Sequence, residues 1–289
     1  MRWVICALTA LTLASPVFAA DLGILPGPQP VAPGGSLPVG PATFTRWSGF
    51  YVGGQISYGN ANADFSTATQ PLVASSLAEL ALENQIGVQT WPVLGSGSGD
   101  AVGYGGFVGY NTQWQDLVVG FEGNYTHTAL TTTASVTPIN TRAMQVAGNT
   151  DVVSLTGTGQ LEITDYASFR TRAGWVLGNV LPYGFAGLVV GGGNYSVTSL
   201  VTGTQNAATP PPYGCDPIIT PTTCVSLYFP NSTGQNGALL YGFSVGGGVD
   251  WAITQNIFLR GEFEYVQFAP IANIVASIVS ARVGAGFKF

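Results

Sequence analysis

Apolar and polar residues alternate at every second position in eight segments of the chain, which is the period of a β-strand. In the seventh segment Ile257, Phe263 and Tyr265 share one face, and Arg260 and Glu262 share the other. The eight segments are residues 47–58, 100–111, 117–128, 161–176, 180–196, 238–252, 257–268 and 273–289. The pattern predicts an all-β protein whose strands each have one apolar face and one polar face.

The connections between these segments alternate in length. Tight turns follow the second, fourth and sixth segments, near Trp114, Gly178 and Gln255, whereas about 30 to 40 residues follow the first, third and fifth. Short periplasmic turns and long extracellular loops are typical of outer-membrane barrels. We therefore predict an eight-stranded antiparallel transmembrane β-barrel with both chain ends in the periplasm. The fourth outer connection, at residues 269–272, is short and departs from this pattern.

The cost of exposing arginine to lipid sets the predicted sidedness. A lipid-facing arginine near the midplane costs about 2–4 kcal/mol, so turning Arg170, Arg172, Arg260 and Arg282 outward would cost about 8–16 kcal/mol. The alternative is a soluble lipocalin-like barrel with its apolar face inside. Its exterior would need far more charge than this chain has, since charged residues make up only 8% of it. The polar faces should therefore line the lumen.

The same parity can be assigned in the other segments. It places Ile163, Phe169 and Trp175 of the fourth segment on the lipid side, with Arg170 and Arg172 opposite. Aromatic residues near strand ends are expected to form girdles at the two membrane interfaces, the alternative being ordinary core aromatics. The expected girdle residues are Trp47, Phe50, Tyr51, Tyr58, Tyr110, Trp114, Trp175, Tyr183, Trp251 and Phe258.

The N-terminal residues indicate export. Arg2, an apolar run and small residues before position 20 predict a signal peptide over residues 1–19. The alternative, a membrane anchor, is disfavoured because the apolar run is too short to span a bilayer. A Pro- and Gly-rich periplasmic spacer over residues 20–46 would then precede the barrel at residues 47–289. Of the three cysteines, Cys6 would leave with the signal, and Cys215 and Cys224 are expected to form a disulfide.

Charged residues on the polar faces form the candidate site. An eight-stranded barrel has an interior just wide enough for side chains, so four cations and three anions should pair there in a structural network. The residues expected in this lumen network are Glu122, Arg170, Arg172, Arg260, Glu262, Glu264 and Arg282. A catalytic carboxylate pair at Glu262 and Glu264, or a charged filter for small ions, is the alternative interpretation.

The remaining candidate motifs do not indicate a catalytic or ligand-binding site. The glycine clusters 191–193 and 246–248 lack phosphate-loop spacing, and glycine is expected where a small barrel bends. His127 is the single histidine, and we expect a strand-end residue there, with no catalytic group, metal or cofactor in the chain. Residues 75–83 predict a short helix capped by serine in the first long loop, which could enter the mouth, bind a partner or cover the rim.

Several motifs together resemble a known family. They are WSGFYVGG at 47–54, GGFVGYN at 105–111, SFRTRAGW at 168–175 and ARVGAGFKF at 281–289. The chain resembles the small porin-like outer-membrane proteins of alphaproteobacteria, in the opacity-protein-like superfamily, which includes major surface antigens of rhizobia and Brucella. The resemblance implies roles in envelope integrity and surface recognition, with small pores or haem-like ligands in some members. It also implies that Phe289 is the assembly signal read by the barrel-assembly machinery.

We therefore expect a non-enzymatic protein of the Gram-negative outer membrane, with a structural envelope role and at most narrow passive permeation of small solutes. The alternative is a surface binding or adhesion protein that acts through the loops around Ser75, Thr131 and Cys215. Expected partners are outer-membrane lipid, lipopolysaccharide and the assembly machinery, and also a host or small-molecule ligand at the extracellular loops. The net charge of −6 argues against nucleic acid as a partner.

Overall fold

The computed structural model describes residues 46–77, 87–91, 93–136, 140–146, 149–206 and 224–289. The predicted signal peptide and nearly all of the predicted spacer lie outside these ranges. Cys215 also lies outside them, so its bond to Cys224 stays a prediction.

Eight antiparallel strands close into a ring. The nine strands are β1 (Gly49–Asp64), β2 (Ser96–Trp114), β3 (Leu117–Ser135), β4 (Asn140–Val146), β5 (Asn149–Trp175), β6 (Val180–Asn206), β7 (Cys224–Ala252), β8 (Ile257–Phe268) and β9 (Val275–Lys288). The ring runs β1, β2, β3, β5, β6, β7, β8 and β9 back to β1. Among the described strands, β4 pairs with β5 alone, along residues 149–155. The predicted all-β, eight-stranded antiparallel barrel is confirmed.

The described helices are confined to the first outer loop. They are α1 (Gln70–Leu77) and a 3₁₀ turn (Val88–Thr90). Neither has the length and apolar character that a membrane-crossing helix would need, and this finding covers only the described residues.

The tight turns lie where the sequence predicts them. Gln115 adopts a left-handed backbone conformation with φ 54° between β2 and β3, and Gly178, with φ 67°, turns the chain between β5 and β6. The short outer connection between β8 and β9 has Ala272 and Asn273 at φ 47° and 62°. Two consecutive residues with positive φ are typical of a type I′ turn, whose twist matches that of the flanking strands.

Six of the eight ring strands are longer than the sequence predicted, whereas β8 matches its predicted bounds and β9 is slightly shorter. β5, β6 and β7 contain 27, 27 and 29 residues, against 12 in β8 and 14 in β9. Much of the predicted long loops at 129–160 and 197–237 is therefore strand, and their extent as loops is wrong. Alternation continues there with buried Val197 and Val201 facing inward and threonines facing outward, and β-branched residues favour strands. The wall formed by β5, β6 and β7 is thus much taller than the wall formed by β8 and β9.

A β-bulge reverses one predicted assignment. The register of β5 against β6 shifts between Ile163 and Asp165, so the inward and outward faces exchange at this point. Ile163 is 1% exposed and faces the interior, whereas Phe169 is 62% exposed on the outer wall. The prediction that Ile163 faces lipid with Phe169 is wrong because the extra residue was not recognisable in the sequence pattern.

The outer wall carries an apolar band between two aromatic girdles. Its upper edge is a ring of exposed tyrosines: Tyr58, Tyr104, Tyr125, Tyr241 and Tyr265. Its lower edge carries Phe50, Tyr110, Trp114, Trp175, Trp251 and Phe289, all exposed. On β1 the band covers residues 50–58, close to the roughly 9–11 residues that a tilted strand needs to cross the hydrocarbon.

Four of the expected girdle residues lie inside the barrel instead. These are Trp47, Tyr51, Tyr183 and Phe258, all of them buried. Tyr51 and Phe258 each follow an exposed neighbour, Phe50 and Ile257, and successive residues of a strand point to opposite faces. Position near a strand end is therefore not enough to predict a girdle residue. The inward or outward parity of the residue decides whether its side chain reaches the membrane.

Candidate functional site: the barrel interior

An apolar layer closes the periplasmic end of the barrel. The rings of Tyr51 and Phe258 lie 6.0 Å apart, and that of Trp47 lies 6.1 Å from Phe258. We call this cluster the floor, and it consists of Trp47, Tyr51, Phe107, Val118, Leu181, Ala252 and Phe258. Glycine makes room for these rings, since a Cβ atom on Gly286 would lie 2.2 Å from Cζ of Phe258.

The glycine clusters noted in the sequence have a similar role in the wall. A Cβ atom on Gly246 would lie 2.1 Å from the carbonyl oxygen of Phe263 and 2.4 Å from the ring of Phe185. Gly191 and Gly193 face inward on β6, each close to a backbone carbonyl of β5. These clusters are strand positions where neighbouring chains approach closely, which agrees with the expectation from a sharply curved small barrel.

Above the floor the charged side chains form one connected network. Arg170 donates from Nε to Oε1 of Glu122 (3.0 Å) and from Nη1 to Oε1 of Glu262 (2.7 Å). Arg260 joins Glu122 to Asp250 through bonds of 2.8 Å to each. The structure places all seven residues of the expected lumen network in this cluster: Glu122, Arg170, Arg172, Arg260, Glu262, Glu264 and Arg282.

Asp250 is an eighth member that the predicted network omitted. Its Oδ2 accepts a bond of 2.6 Å from Nη2 of Arg172, and its Oδ1 accepts one from Arg260. The polar face of the sixth segment already contains Asp250, so parity alone could have found it. With Asp250 included, four arginines face four carboxylates and the described network is neutral.

Aromatic side chains hold the guanidinium groups from the sides. The guanidinium carbon of Arg172 lies 3.7 Å from the centroid of the Tyr183 ring, and that of Arg260 lies 4.0 Å from the Phe107 ring. The Tyr51 hydroxyl donates to Glu122 (2.7 Å), and the Tyr183 hydroxyl donates to a Glu262 oxygen (2.9 Å). Cation–π contacts and charge-assisted hydrogen bonds are strong where water is excluded.

The outer half of the interior is apolar and is filled by the first outer loop. Phe65, Leu72 and Leu94 of this loop pack against Leu130 and Ile163 of the wall. Farther out, a second cluster contains loop residues Val73, Leu77, Val88, Trp91 and Val93, with wall residues Val153, Leu155, Val201 and Leu227. We call the described loop residues 65–77, 87–91 and 93–95 the plug. Of the three possibilities left open for this loop, the structure shows entry into the mouth.

The predicted helix of this loop is present, but its start was wrong. α1 begins at Gln70, and Ser75 lies in its last turn, where its hydroxyl donates to the Leu72 carbonyl over 2.9 Å. Ser75 is therefore not an N-cap, and residues 78–83 of the predicted helix lie outside the described residues. The prediction missed the first turn, which contains Pro71, a residue that the first turn of a helix accommodates.

The two carboxylates of the alternative catalytic pair, Glu262 and Glu264, are engaged by arginines. Glu262 bonds Arg170, and Glu264 bonds Arg282, with all four side chains buried. A general acid or base must reach a substrate proton, and these groups lie between the floor and the plug. Among the described residues there is also no cluster of His, Cys, Asp and Glu suited to a metal ion.

A smaller polar cluster on the outer wall was not predicted. Nδ1 of His127 lies 2.7 Å from Oδ1 of Asp165, and the Tyr125 hydroxyl donates to the same oxygen over 2.5 Å. These residues come from β3 and β5, and only the pairing of the two strands brings them together. They sit beside the tyrosine ring, where the outer wall changes from apolar to polar.

An apolar outer wall around a polar network defines this chain as an outer-membrane β-barrel protein. A family of outer membrane protein beta-barrel domains matches residues 31–289, and the chain belongs to this family. It is a protein of the Gram-negative outer membrane. No curated protein matches the chain in sequence.

Among solved structures, the chain is similar to several small outer-membrane barrels. Ail, the attachment invasion locus protein of Yersinia pestis, is 13% identical over 84% of this chain and 99% of its own, with a TM-score of 0.32. Neisserial surface protein A is 15% identical over 84% and 98%, with a TM-score of 0.29. The N-terminal barrel domain of Pseudomonas aeruginosa OprF is 13% identical over 81% and 97%, with a TM-score of 0.27.

Proposed function

We propose that this protein is a non-enzymatic structural barrel that anchors a surface-exposed β-sheet in the outer membrane and conducts solutes minimally. The filled interior is the observation that carries this proposal. The motifs at 47–54 and 281–289 resemble porin-like envelope proteins of alphaproteobacteria, which supports the structural role and an assembly function for Phe289. Its permanent partners would be the lipid and lipopolysaccharide around the wall and, during insertion, the barrel-assembly machinery.

Three successive layers oppose conduction. A solute would have to displace the apolar plug, separate buried ion pairs such as Arg170 with Glu122, and then pass the floor around Phe258. Breaking a buried pair by removing one partner costs about 3–5 kcal/mol, and a solute that separates several pairs meets a larger barrier. This barrier is why the proposal allows at most narrow permeation.

Liposome swelling and single-channel recording test this part of the proposal. Liposomes containing the full chain should swell in arabinose no faster than protein-free liposomes, whereas an open trimeric porin at the same protein-to-lipid ratio should swell them rapidly. In planar bilayers at moderate voltage, conductance steps should be absent or far smaller than those of the porin. Swelling close to that of the porin would contradict the sealed interior.

A plug variant locates the barrier. Phe65→Ala removes a fully buried ring from the plug but leaves the network and floor in place. We expect its conductance to remain near that of the wild type, because two layers still close the barrel. A large increase would show that the plug alone is the barrier.

The second candidate function is recognition at the cell surface. β5, β6 and β7 continue far beyond the tyrosine ring, whereas β8 ends at Phe268. This sheet on one side of the barrel is a large surface beyond the tyrosine ring. Swapping outward residues of the sheet should abolish binding to a surface ligand without changing conductance.

A further inference from the structure

The outer face of the extended sheet contains a groove of about 610 Å³. It crosses the upper parts of β3, β5, β6 and β7, with Thr158, Thr198 and Tyr228 among its lining residues. Ligand sites in proteins commonly have volumes of about 300–1,000 Å³. The groove therefore has the volume of a typical small-ligand site.

A row of hydroxyl side chains runs across the groove. Ser135 pairs with Thr158, Thr158 pairs with Thr198, and Thr198 pairs with Ser232 in the strand register. Adjacent strands are about 4.8 Å apart, so the four positions span about 14 Å. The row presents hydroxyls at regular spacing to a ligand that lies perpendicular to the strands.

These hydroxyls keep hydrogen-bonding capacity for a ligand. Oγ1 of Thr158 lies 2.7 Å from Oγ1 of Thr198, so one of the two donates to the other. The backbone N–H of Thr158 also donates to Oγ1 of Thr198 over 3.3 Å. A hydroxyl offers one donor and two acceptor lone pairs, so this pair of hydroxyls keeps one proton and two lone pairs available. The groove can therefore both donate to and accept from a partner rich in hydroxyl groups.

An exposed aromatic ring stands beside the row. Tyr228 is 67% exposed, and Leu200 and Pro230 line the groove next to it. An aromatic face and adjacent apolar surface suit the C–H faces of sugar rings, whereas the hydroxyl row suits their edges. The groove therefore offers a saccharide one aromatic face for its rings and several hydroxyls for its edges.

The part of the groove lining that the structure describes is uncharged, with no Asp, Glu, Lys, Arg or His in it. Sulfated or phosphorylated ligands require cations for tight binding, and nucleic acid does so as well. The occupant that this chemistry fits is a neutral saccharide.

The position of the groove identifies the source of the saccharide. Thr158 lies seven residues beyond Asp165 on β5, about 23 Å along the strand, and about 18 Å above the tyrosine ring with a tilt near 40°. Thr158 and Thr198 also lie on the outward face of the wall, the face that meets lipid lower down. A lipopolysaccharide molecule beside the barrel places its sugars at this height and on this side.

We propose that this groove binds neutral sugars of lipopolysaccharide molecules packed beside the barrel. The inference rests on the proposed function, because it requires an anchored barrel whose sheet stands outside the membrane. Its effect would be to fix the extended sheet among the surrounding saccharide chains.

Isothermal titration of the detergent-solubilised full chain tests this proposal. The probe is the delipidated saccharide released by mild acid from lipopolysaccharide of the native membrane. We expect saturable binding whose affinity changes less than twofold between 50 and 500 mM salt, since no ion pair is involved. Tyr228→Ala should weaken binding at least tenfold, and Thr158→Val with Thr198→Val at least fivefold.

Thr131→Val is the matched control, because Thr131 is an exposed outward threonine of β3 outside the groove. It should bind within twofold of the wild type, and a shift between unboiled and boiled samples on a gel verifies that each variant is folded. Absence of saturable binding overturns the proposal, as does wild-type affinity in the folded groove variants. Preference for heparin, or for neutral host-type glycans over the lipopolysaccharide saccharide, would overturn the assignment of lipopolysaccharide sugars as the ligand.

Conductance measured on the same preparations separates the two proposals. A conducting wild-type barrel that still binds the saccharide would refute only the sealed interior. A sealed barrel without saccharide binding would refute only the groove assignment.

Discussion

Replacing Glu122 by Gln should be among the most destabilising near-isosteric changes in the barrel. Glu122 is 1% exposed and accepts hydrogen bonds from Arg170, Arg172, Arg260 and Tyr51. Glutamine has nearly the same shape but no charge. The described network would then hold four arginines and three carboxylates.

The magnitude follows from the uncompensated charge. Removing one partner of a buried ion pair typically costs about 3–5 kcal/mol, because the remaining charge stays buried without compensation. Folded domains have about 5–15 kcal/mol of stability in total. We therefore expect Glu122→Gln to remove a large share of the free energy of unfolding, about 3–5 kcal/mol.

Denaturant unfolding in lipid vesicles measures this change. Tryptophan fluorescence would report the transition, and the shift between unboiled and boiled samples on a gel would verify that the starting material is folded. Asp100→Asn is the matched control, since Asp100 is exposed and bonds only Asn60 among the described residues (2.8 Å). It should alter the free energy of unfolding by about 0.5 kcal/mol or less.

A second substitution tests the cause. Adding Arg260→Met to Glu122→Gln returns the network to three cations and three anions, so the double variant should be at least about 2 kcal/mol more stable than additivity predicts. A loss below about 1 kcal/mol in Glu122→Gln would refute the reasoning. Strict additivity in the double variant would show that charge balance is not what stabilises the interior.

Two further substitutions, each with a matched control, test the packing of the floor and the sidedness of the wall. Gly286→Ala places a Cβ atom 2.2 Å from the Phe258 ring and should destabilise the barrel by about 1–3 kcal/mol, whereas Gly261→Ala, which meets nothing within 4 Å, should be nearly neutral. A similar unfolding midpoint for both would contradict the close packing of the floor. Phe263→Arg, at a wall position 64% exposed to lipid, should cost about 2–4 kcal/mol, and Thr131→Arg beyond the band about 0–1 kcal/mol. If Phe263→Arg unfolds at the wild-type denaturant concentration, the assigned sidedness is wrong.

Much of the wall could be predicted from local pattern because a strand has a strict period of two. The outward position of Phe263 and the inward position of Arg260 and Glu262 require only parity and the cost of charge in lipid. The same rule fails at Ile163, where one extra residue in β5 reverses the faces. Parity also predicts that Phe50 faces outward and Tyr51 inward, which position near a strand end cannot predict.

The interior was less predictable, because its layers depend on contacts between distant residues. Composition indicates that charges face inward, but it does not show that the plug fills the outer half or that the floor closes the periplasmic end. Phe65 and Ile163 meet only when the first outer loop folds into the closed ring. The His127 and Asp165 cluster likewise depends on the pairing of β3 with β5.

The sequence alone is enough to assign a transmembrane barrel, the lipid-facing side of most strand positions, and seven of the eight charged residues of the interior network. It could do so because alternation and the low dielectric of the membrane act locally, residue by residue. The tertiary structure was needed to show that the interior is filled, that β3, β5, β6 and β7 extend beyond the tyrosine ring, and that Ser135, Thr158, Thr198 and Ser232 form one row. Those features arise from strand register and loop packing, which join residues that the sequence keeps far apart.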